Sequence, residues 1–175
     1  KEFITDFPSW DAIARQIETR KNTSTDRALL QSVLREQYQE IGLTPETDHQ
    51  ITKLGATQTF TFCAAHQPVV FGGPLYTYYK IIQVIRLAEM SKKKFPPFEF
   101  VPVYYIGSED HDMEEIGTLY LNHNKLQWES GQQGACGRMT LETLQPLLQE
   151  VLAYLDPHRL DSHAALSALL KQAYA

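Results

Sequence analysis

Apolar residues recur at helical spacing through the first third of the chain. From Pro8 to Lys21, Trp10, Ile13, Ala14 and Ile17 fall on one face, and Ser9 stands where an N-cap belongs. Asn22-Thr23-Ser24 breaks this helix. Asp26 to Ile41 repeats the pattern with Leu29, Leu30, Val33, Leu34, Tyr38 and Ile41, and Gly42 occupies the C-cap position that favours glycine. Asp48 to Leu54 predicts a short third helix ahead of Gly55. The pattern then changes. Gln58 to Ala65 is rich in aromatic and β-branched residues, which predicts a strand. Pro74 to Lys92 predicts a long helix, with proline tolerated at its first position. Leu75, Tyr78, Ile82, Ile85 and Leu87 form its apolar face, and Lys92-Lys93-Lys94 lie at the negative end of its dipole. Pro96-Pro97 stops it. Phe98 to Ile106 is an apolar run but for Glu99, the pattern of a strand buried on both faces of a parallel sheet. Strand, helix and strand in this order predict a βαβ unit with a right-handed crossover. Beyond Glu115 the pattern predicts a hairpin, with strands at Thr118–Leu121 and Lys125–Trp128 and a turn at Asn122-His123-Asn124. Two helices come after it, Leu141 to Leu155 and Ser162 to Ala175, separated by Asp156-Pro157.

The expected organisation is an N-terminal helical segment over 1–56, the first part of an α/β core over 57–139, and a helical segment over 140–175. The three opening helices hold no clustered catalytic groups and read as a cap packing on the rest of the chain. At 175 residues the chain is long enough for one well-buried core. A net charge of −5 leaves no basic footprint, which argues against nucleic acid as a partner. No apolar run reaches the roughly 20 residues that span a bilayer. Cys63 and Cys136 form no CxxC pair and read as reduced thiols of a cytoplasmic protein. The chain begins without Met or a signal-like stretch and stops inside a helical pattern, so we expect a trimmed piece of a longer protein.

Candidate chemistry gathers at the C-terminal ends of the two predicted strands, the edge of an open α/β sheet where ligands bind. After the first come His66-Gln67 and Gly72-Gly73-Pro74. Glycines admit a ligand close to the backbone, and a helix N-terminus attracts anions; a tight turn and a hydrogen-bonded loop histidine explain the same residues. Lys80 lies where its ammonium can reach a bound anion, or is a surface lysine. After the second strand comes Glu109-Asp110-His111-Asp112, with Glu114-Glu115 beyond. Clustered carboxylates need compensation. Asp110 or Asp112 capping a short helix, a divalent metal, or the amino and hydroxyl groups of a polar substrate would each supply it. In the substrate reading His111 is a general base oriented by Asp110 or Asp112. No distal ligand set completes a metal site, and none is predicted. Downstream, Gly134-Ala135-Cys136-Gly137-Arg138 presents an arginine suited to carboxylate or phosphate, or a surface arginine in a loop. Cys136 has no partner histidine in sequence that would mark it as a nucleophile.

Taken together, HQPVVFGGPLYTYYK, VPVYYIGSEDHDMEEI and GACGRM resemble the N-terminal part of the bacillithiol-biosynthesis cysteine-adding enzymes, the cysteine ligases. The likeness runs from about Gln58 to Met139, and the preceding helices fit the family's N-terminal region. It departs at Ala65, where the family usually has glycine, and Pro68-Val69-Val70 falls in a variable segment. The resemblance implies a Rossmann-like parallel-sheet core of the class I nucleotidyltransferase type, incomplete here. It also implies a ligase that joins L-cysteine to glucosaminyl-malate in the last step of bacillithiol synthesis, with ATP as the activating co-substrate. On this basis His66, Gln67, Gly72, Gly73 and Lys80 hold anionic groups of nucleotide or substrate. Glu109 binds substrate, with Asp110, His111 and Asp112 the catalytic group, and Arg138 supplies a cation for malate or phosphate. The family implies a homodimer through a coiled coil absent from this chain, which is then an inactive fragment with an exposed sheet edge. Two other classes fit the residues: a metal-dependent hydrolase using the Glu109–Asp112 cluster, and a non-catalytic nucleotide- or metabolite-binding module.

Overall fold

The computed structural model describes residues 6–121, 123–155 and 163–174. The chain divides into two compact units, Lys1–Cys63 with Ile82–Val103, and Ala64–Ile81 with Tyr104–Ala175. Strands β1 (Thr59–His66) and β2 (Glu99–Ile106) and helix α4 (Leu75–Lys94) each contribute to both units. The strands run parallel: Glu99 N–H donates to Gln58 O at 3.1 Å and Gly107 N–H to His66 O at 2.9 Å, the same offset at both ends. The βαβ unit and its parallel pairing are therefore as expected.

In the first unit, α1 (Trp10–Lys21) starts where Ser9 accepts a hydrogen bond from Ala12 N–H at 3.1 Å. Its Ile17 packs with Ala88 and Phe100, and Ile13, Phe60, Phe62, Phe95 and Phe98 surround them. The aromatic and β-branched residues that predicted strands supply this core. The second helix differs from expectation. On α2 (Arg27–Ile41) no residue is buried, and Leu29, Val33 and Ile41 are exposed. Polar side chains tie it down instead. Arg27 donates to Leu54 O and Thr59 O, Gln31 donates to Ile51 O and Thr52 O, and Arg35 pairs with Asp48 at 2.7 Å. Helix α3 (Pro45–Lys53) begins three residues before the predicted start, because Thr44 caps Thr47 N–H and Pro45 suits the first turn.

Two burial expectations are corrected. On α4 the predicted apolar face is exposed at Leu75, Tyr78, Ile82 and Ile85, and burial tracks Thr77, Val84, Ala88 and Ser91. Small side chains let a helix approach a layer of bulky ones, as Ala88 does against Phe100. On β2, Phe100 and Val101 are buried but Tyr105 and Ile106 are exposed. A strand needs layers on both sides to bury both faces, and the sheet here has two strands.

In the second unit, α5 (Met113–Ile116) leads into the predicted hairpin of β3 (Thr118–Leu121) and β4 (Asn124–Gln127), paired antiparallel with Thr118 opposite Gln127. Position 122 of its turn lies outside the described residues, as do the Asp156-Pro157 break, Ser162 and Ala175. Helix α6 (Gln145–Leu155) starts four residues later than predicted: Glu142–Leu144 form a 3-10 turn, and Pro146 belongs to a first helical turn rather than an interior. With α7 (His163–Tyr174) it closes two clusters. Val70, Trp128, Leu144 and Leu147 form one, and Leu148, Val151 and Leu170 the other. Trp128 Nε1–H donates to Thr143 Oγ1 at 2.9 Å, so its burial strands no polar group.

Candidate functional site

All three sequence motifs lie in or enter the second unit. The first leaves β1 at His66 and turns through Phe71, Gly72 and Gly73, which have φ of 53°, 88° and 69°. A Cβ on Gly72 would stand 2.1 Å from Tyr78 Oη, and one on Gly73 2.5 Å from Val69 Cγ2. The two glycines are thus required by the turn and its own packing. Phe71, which has no such freedom, is held in place: its N–H donates to Tyr174 Oη at 2.9 Å and its ring meets that of Tyr174 edge-on. Gly73 N–H donates to Val70 O.

The second and third motifs are stapled together. Cys136 N–H donates to Asp110 O at 2.8 Å and Gly137 N–H to Ser108 O at 2.9 Å. A Cβ on Gly137 would lie 2.5 Å from Ser108 Cβ, so only glycine permits this approach. Gly107 N–H, bonded to His66 O, ties the second motif to the first. Within these loops most polar groups serve the backbone. Asp110 Oδ1 accepts from Asp112 N–H, and Asp112 Oδ1 accepts from Glu115 N–H as the cap of α5, the helix-capping reading of the cluster. Glu109 accepts from Tyr105 Oη at 3.3 Å, and its charge is the main cause that pushes the Tyr105 phenol up. His111 is exposed, with Nδ1 3.5 Å from Glu109 O. Arg138 is exposed in a 3-10 turn. Lys80 donates to Ala65 O at 3.2 Å and lies over the Tyr76 ring. Cys136 is buried, its thiol 3.5 Å from Met113 Sδ. Burial first, then Asp110 and Asp112, raise its pKa, which holds it as an unreactive thiol.

His66 is buried, and both its ring nitrogens are engaged. Nδ1 lies 3.1 Å from Gln67 O and Nε2 2.7 Å from Tyr76 Oη. The Tyr76 hydroxyl donates to Glu115 Oε1 at 2.6 Å. Glu115 raises the Tyr76 pKa, first through that hydrogen bond, with burial adding to it, so the phenol remains a donor. The run His66–Tyr76–Glu115 was not legible in sequence, where its members stand ten and thirty-nine residues apart.

Glu115 opens on a cleft of about 680 Å3 in the same unit. Gly73, Pro74, Leu75 and Tyr76 form one part of its wall, and Asp112, Glu114, Glu115, Thr118, Tyr120 and Lys125 another. Three carboxylates and one ammonium give it a negative field with a single positive point. Of the residues singled out in sequence, Gly73 and Asp112 line this cleft, whereas Gln67, Lys80, Glu109, Asp110, His111 and Arg138 are not among its lining residues. Tyr76, Glu114, Glu115, Thr118, Tyr120 and Lys125 are its polar groups to which sequence reasoning gave no role. Glu115 was visible only as the tail of an acidic run. Among the described residues no three His, Cys, Asp or Glu side chains converge as a metal cage, and no helix is long and apolar enough to cross a membrane.

Comparison with known proteins agrees with the motifs. The family model described as bacillithiol biosynthesis BshC, N-terminal Rossmann-like domain, matches residues 1–175. A protein of Flavobacterium johnsoniae named "Putative cysteine ligase BshC" is 36% identical over 150 residues, covering 85% of this chain and 28% of that protein. The proteins of the same name from Flavobacterium psychrophilum and Christiangramia forsetii are 35% and 38% identical over 82% and 73% of this chain. This chain spans 28% and 24% of their lengths. Matched along its whole length, and carrying the parallel βαβ unit that such a domain requires, the chain belongs to the BshC family as its N-terminal Rossmann-like domain.

Proposed function

We propose that this chain supplies part of the site at which a longer cytoplasmic enzyme joins L-cysteine to glucosaminyl-malate, forming a carbon–nitrogen bond in the last step of bacillithiol synthesis. The observation that carries this reading is the cleft, where Asp112, Glu114 and Glu115 face Lys125 beside the Tyr76 and Tyr120 hydroxyls. Both substrates bear an amino group and a carboxylate. Carboxylates recognise the first, and an ammonium the second. The relatives' name, cysteine ligase, supports the same chemistry.

ATP is the activating co-substrate this reading implies. The first motif does not fit a triphosphate as it stands: Gly73 N–H, Phe71 N–H, both His66 ring nitrogens and the Lys80 ammonium all have partners within the protein. We therefore derive no step through a nucleotide. The homodimer implied by the family belongs to the length of the relatives beyond this chain.

The decisive experiment incubates the full-length enzyme with cysteine, glucosaminyl-malate and ATP and monitors bacillithiol by mass spectrometry. Product is expected, and its absence under all three substrates overturns the reading. The His111→Ala variant shows whether the exposed acidic loop takes part.

A further inference from the structure

We propose that Glu115 is the proton acceptor for the attacking amine in this cleft, and that Tyr76 is a positioning residue clamped between Glu115 and the buried ring of His66. This rests on the amide-forming reading above. A catalytic base needs access to the substrate and a fixed orientation. Glu115 lines the cleft and its side chain is 44% exposed, whereas His66 is sealed from solvent. Between them stands a single hydroxyl, 2.6 Å from Glu115 Oε1 and 2.7 Å from His66 Nε2.

The direction of these bonds comes from the donor inventory. An ionised carboxylate only accepts, so the Tyr76 hydroxyl spends its one proton on Glu115. Its oxygen must then accept from His66, which makes Nε2 a donor. Nδ1 lies 3.1 Å from the Gln67 carbonyl oxygen, so both ring nitrogens are held within the protein. The imidazole also lies 3.9 Å from the same Glu115 oxygen and is tilted against the Tyr76 ring. Charge-assisted bonds of this length are stronger than neutral ones and hold geometry. Other charges near the carboxylate are Asp112, which caps Glu115 N–H from the same loop, and Glu114 and Lys125 in the cleft wall.

In the step proposed, the substrate nitrogen uses its lone pair to form the C–N bond to the carbonyl carbon of a mixed acyl–phosphate anhydride, the co-reactant class this step requires. The C–O bond to the phosphate breaks, and the phosphate leaves with that electron pair. The N–H bond breaks toward Glu115, whose carboxylate becomes a carboxylic acid while Tyr76 keeps it in line.

Two measurements test this separately from the parent reading. In the 175-residue chain, the His66 Nε2 proton should give a protected imidazole NMR resonance that Tyr76→Phe abolishes, Glu115→Gln shifts and Asp112→Asn leaves in place. An unchanged resonance in Tyr76→Phe overturns the clamp, whether or not the enzyme couples its substrates. In the full-length enzyme, Glu115→Gln should lower kcat by about 10²-fold or more. Tyr76→Phe should lower kcat by less, and Glu115→Asp should restore part of the loss. Full turnover in Glu115→Gln removes Glu115 as the acceptor.

Discussion

At the scale of single residues, the second unit is organised by close approaches that one atom would prevent. Gly137 lies against Ser108 with no room for a methyl group: its Cβ would be 2.5 Å from Ser108 Cβ and 2.8 Å from the backbone oxygen. Backbone cannot swing away as a flexible side chain can. Gly137→Ala should cost about 1–3 kcal/mol, read as a lower Tm with the staple between the second and third motifs weakened. A variant as stable as the parent would show that the two loops separate freely. Cysteine chemistry is set at the same scale. Cys63 is exposed on β1, whereas Cys136 is buried and its pKa raised by burial and two aspartates. Iodoacetamide at mildly alkaline pH should therefore label Cys63 first, and peptide mapping that found Cys136 labelled first would contradict the burial. Position 137 stood out in sequence as a glycine beside an arginine. That it meets Ser108, twenty-nine residues earlier, could not be read there.

At the scale of elements, local signals reported boundaries well and burial poorly. Ser9, Asp26 and Gly42 marked helix ends by chemistry acting within one turn, and each stands at its cap in the structure. Which face of α4 packs was decided by its neighbours. The larger apolar side chains point outward and Val84, Ala88 and Ser91 point in, because the aromatic layer around Phe100 already fills the available volume. The first residue of β2 shows the same dependence. Glu99 is polar at the start of an apolar strand, and in the structure it pairs with Lys92 and lies 3.8 Å from Lys53. The Lys92 hydrogen bond first, with Lys92 and Lys53 charge behind it, holds the carboxyl below the ordinary glutamate range. The unfolded chain then binds a proton more readily than the folded one. This contribution is full above the unfolded pKa and is lost as pH falls through the folded value. Urea melts from pH 7 down to pH 3 should show a fall in stability that is smaller in Glu99→Gln. Parallel curves for the two proteins would remove Glu99 as a source.

At the scale of the molecule, the chain presents more apolar surface than its elements cover. Helix α2 buries no residue, α4 exposes Leu75, Tyr78, Ile82 and Ile85, and among the described residues the parallel sheet has two strands. Unpaired strand edges and exposed apolar faces promote association. The relatives are longer, with this chain covering 28% of the first of them. The chain by itself should therefore self-associate with rising concentration, seen as mass above 20.0 kDa in size-exclusion chromatography with light scattering. A clean monomer at every concentration would count against it.

What the amino-acid sequence determined by itself was the local and the familial: caps and breaks, the strand–helix–strand order, the hairpin, and three motifs specific enough to place the chain in its family. These depend on neighbours along the chain. Tertiary structure alone decided which carboxylate meets a side chain distant in sequence. Asp110 and Asp112 accept from the backbone of their own loop, and Asp112 also lines the cleft, while Glu115, at the end of the same run, meets Tyr76 and through it His66. The reason is geometric. A turn of loop followed by a turn of helix points successive carboxylates in different directions, and only the fold that brings the end of β1, the start of α4 and α5 into one unit settles which of them meets Tyr76.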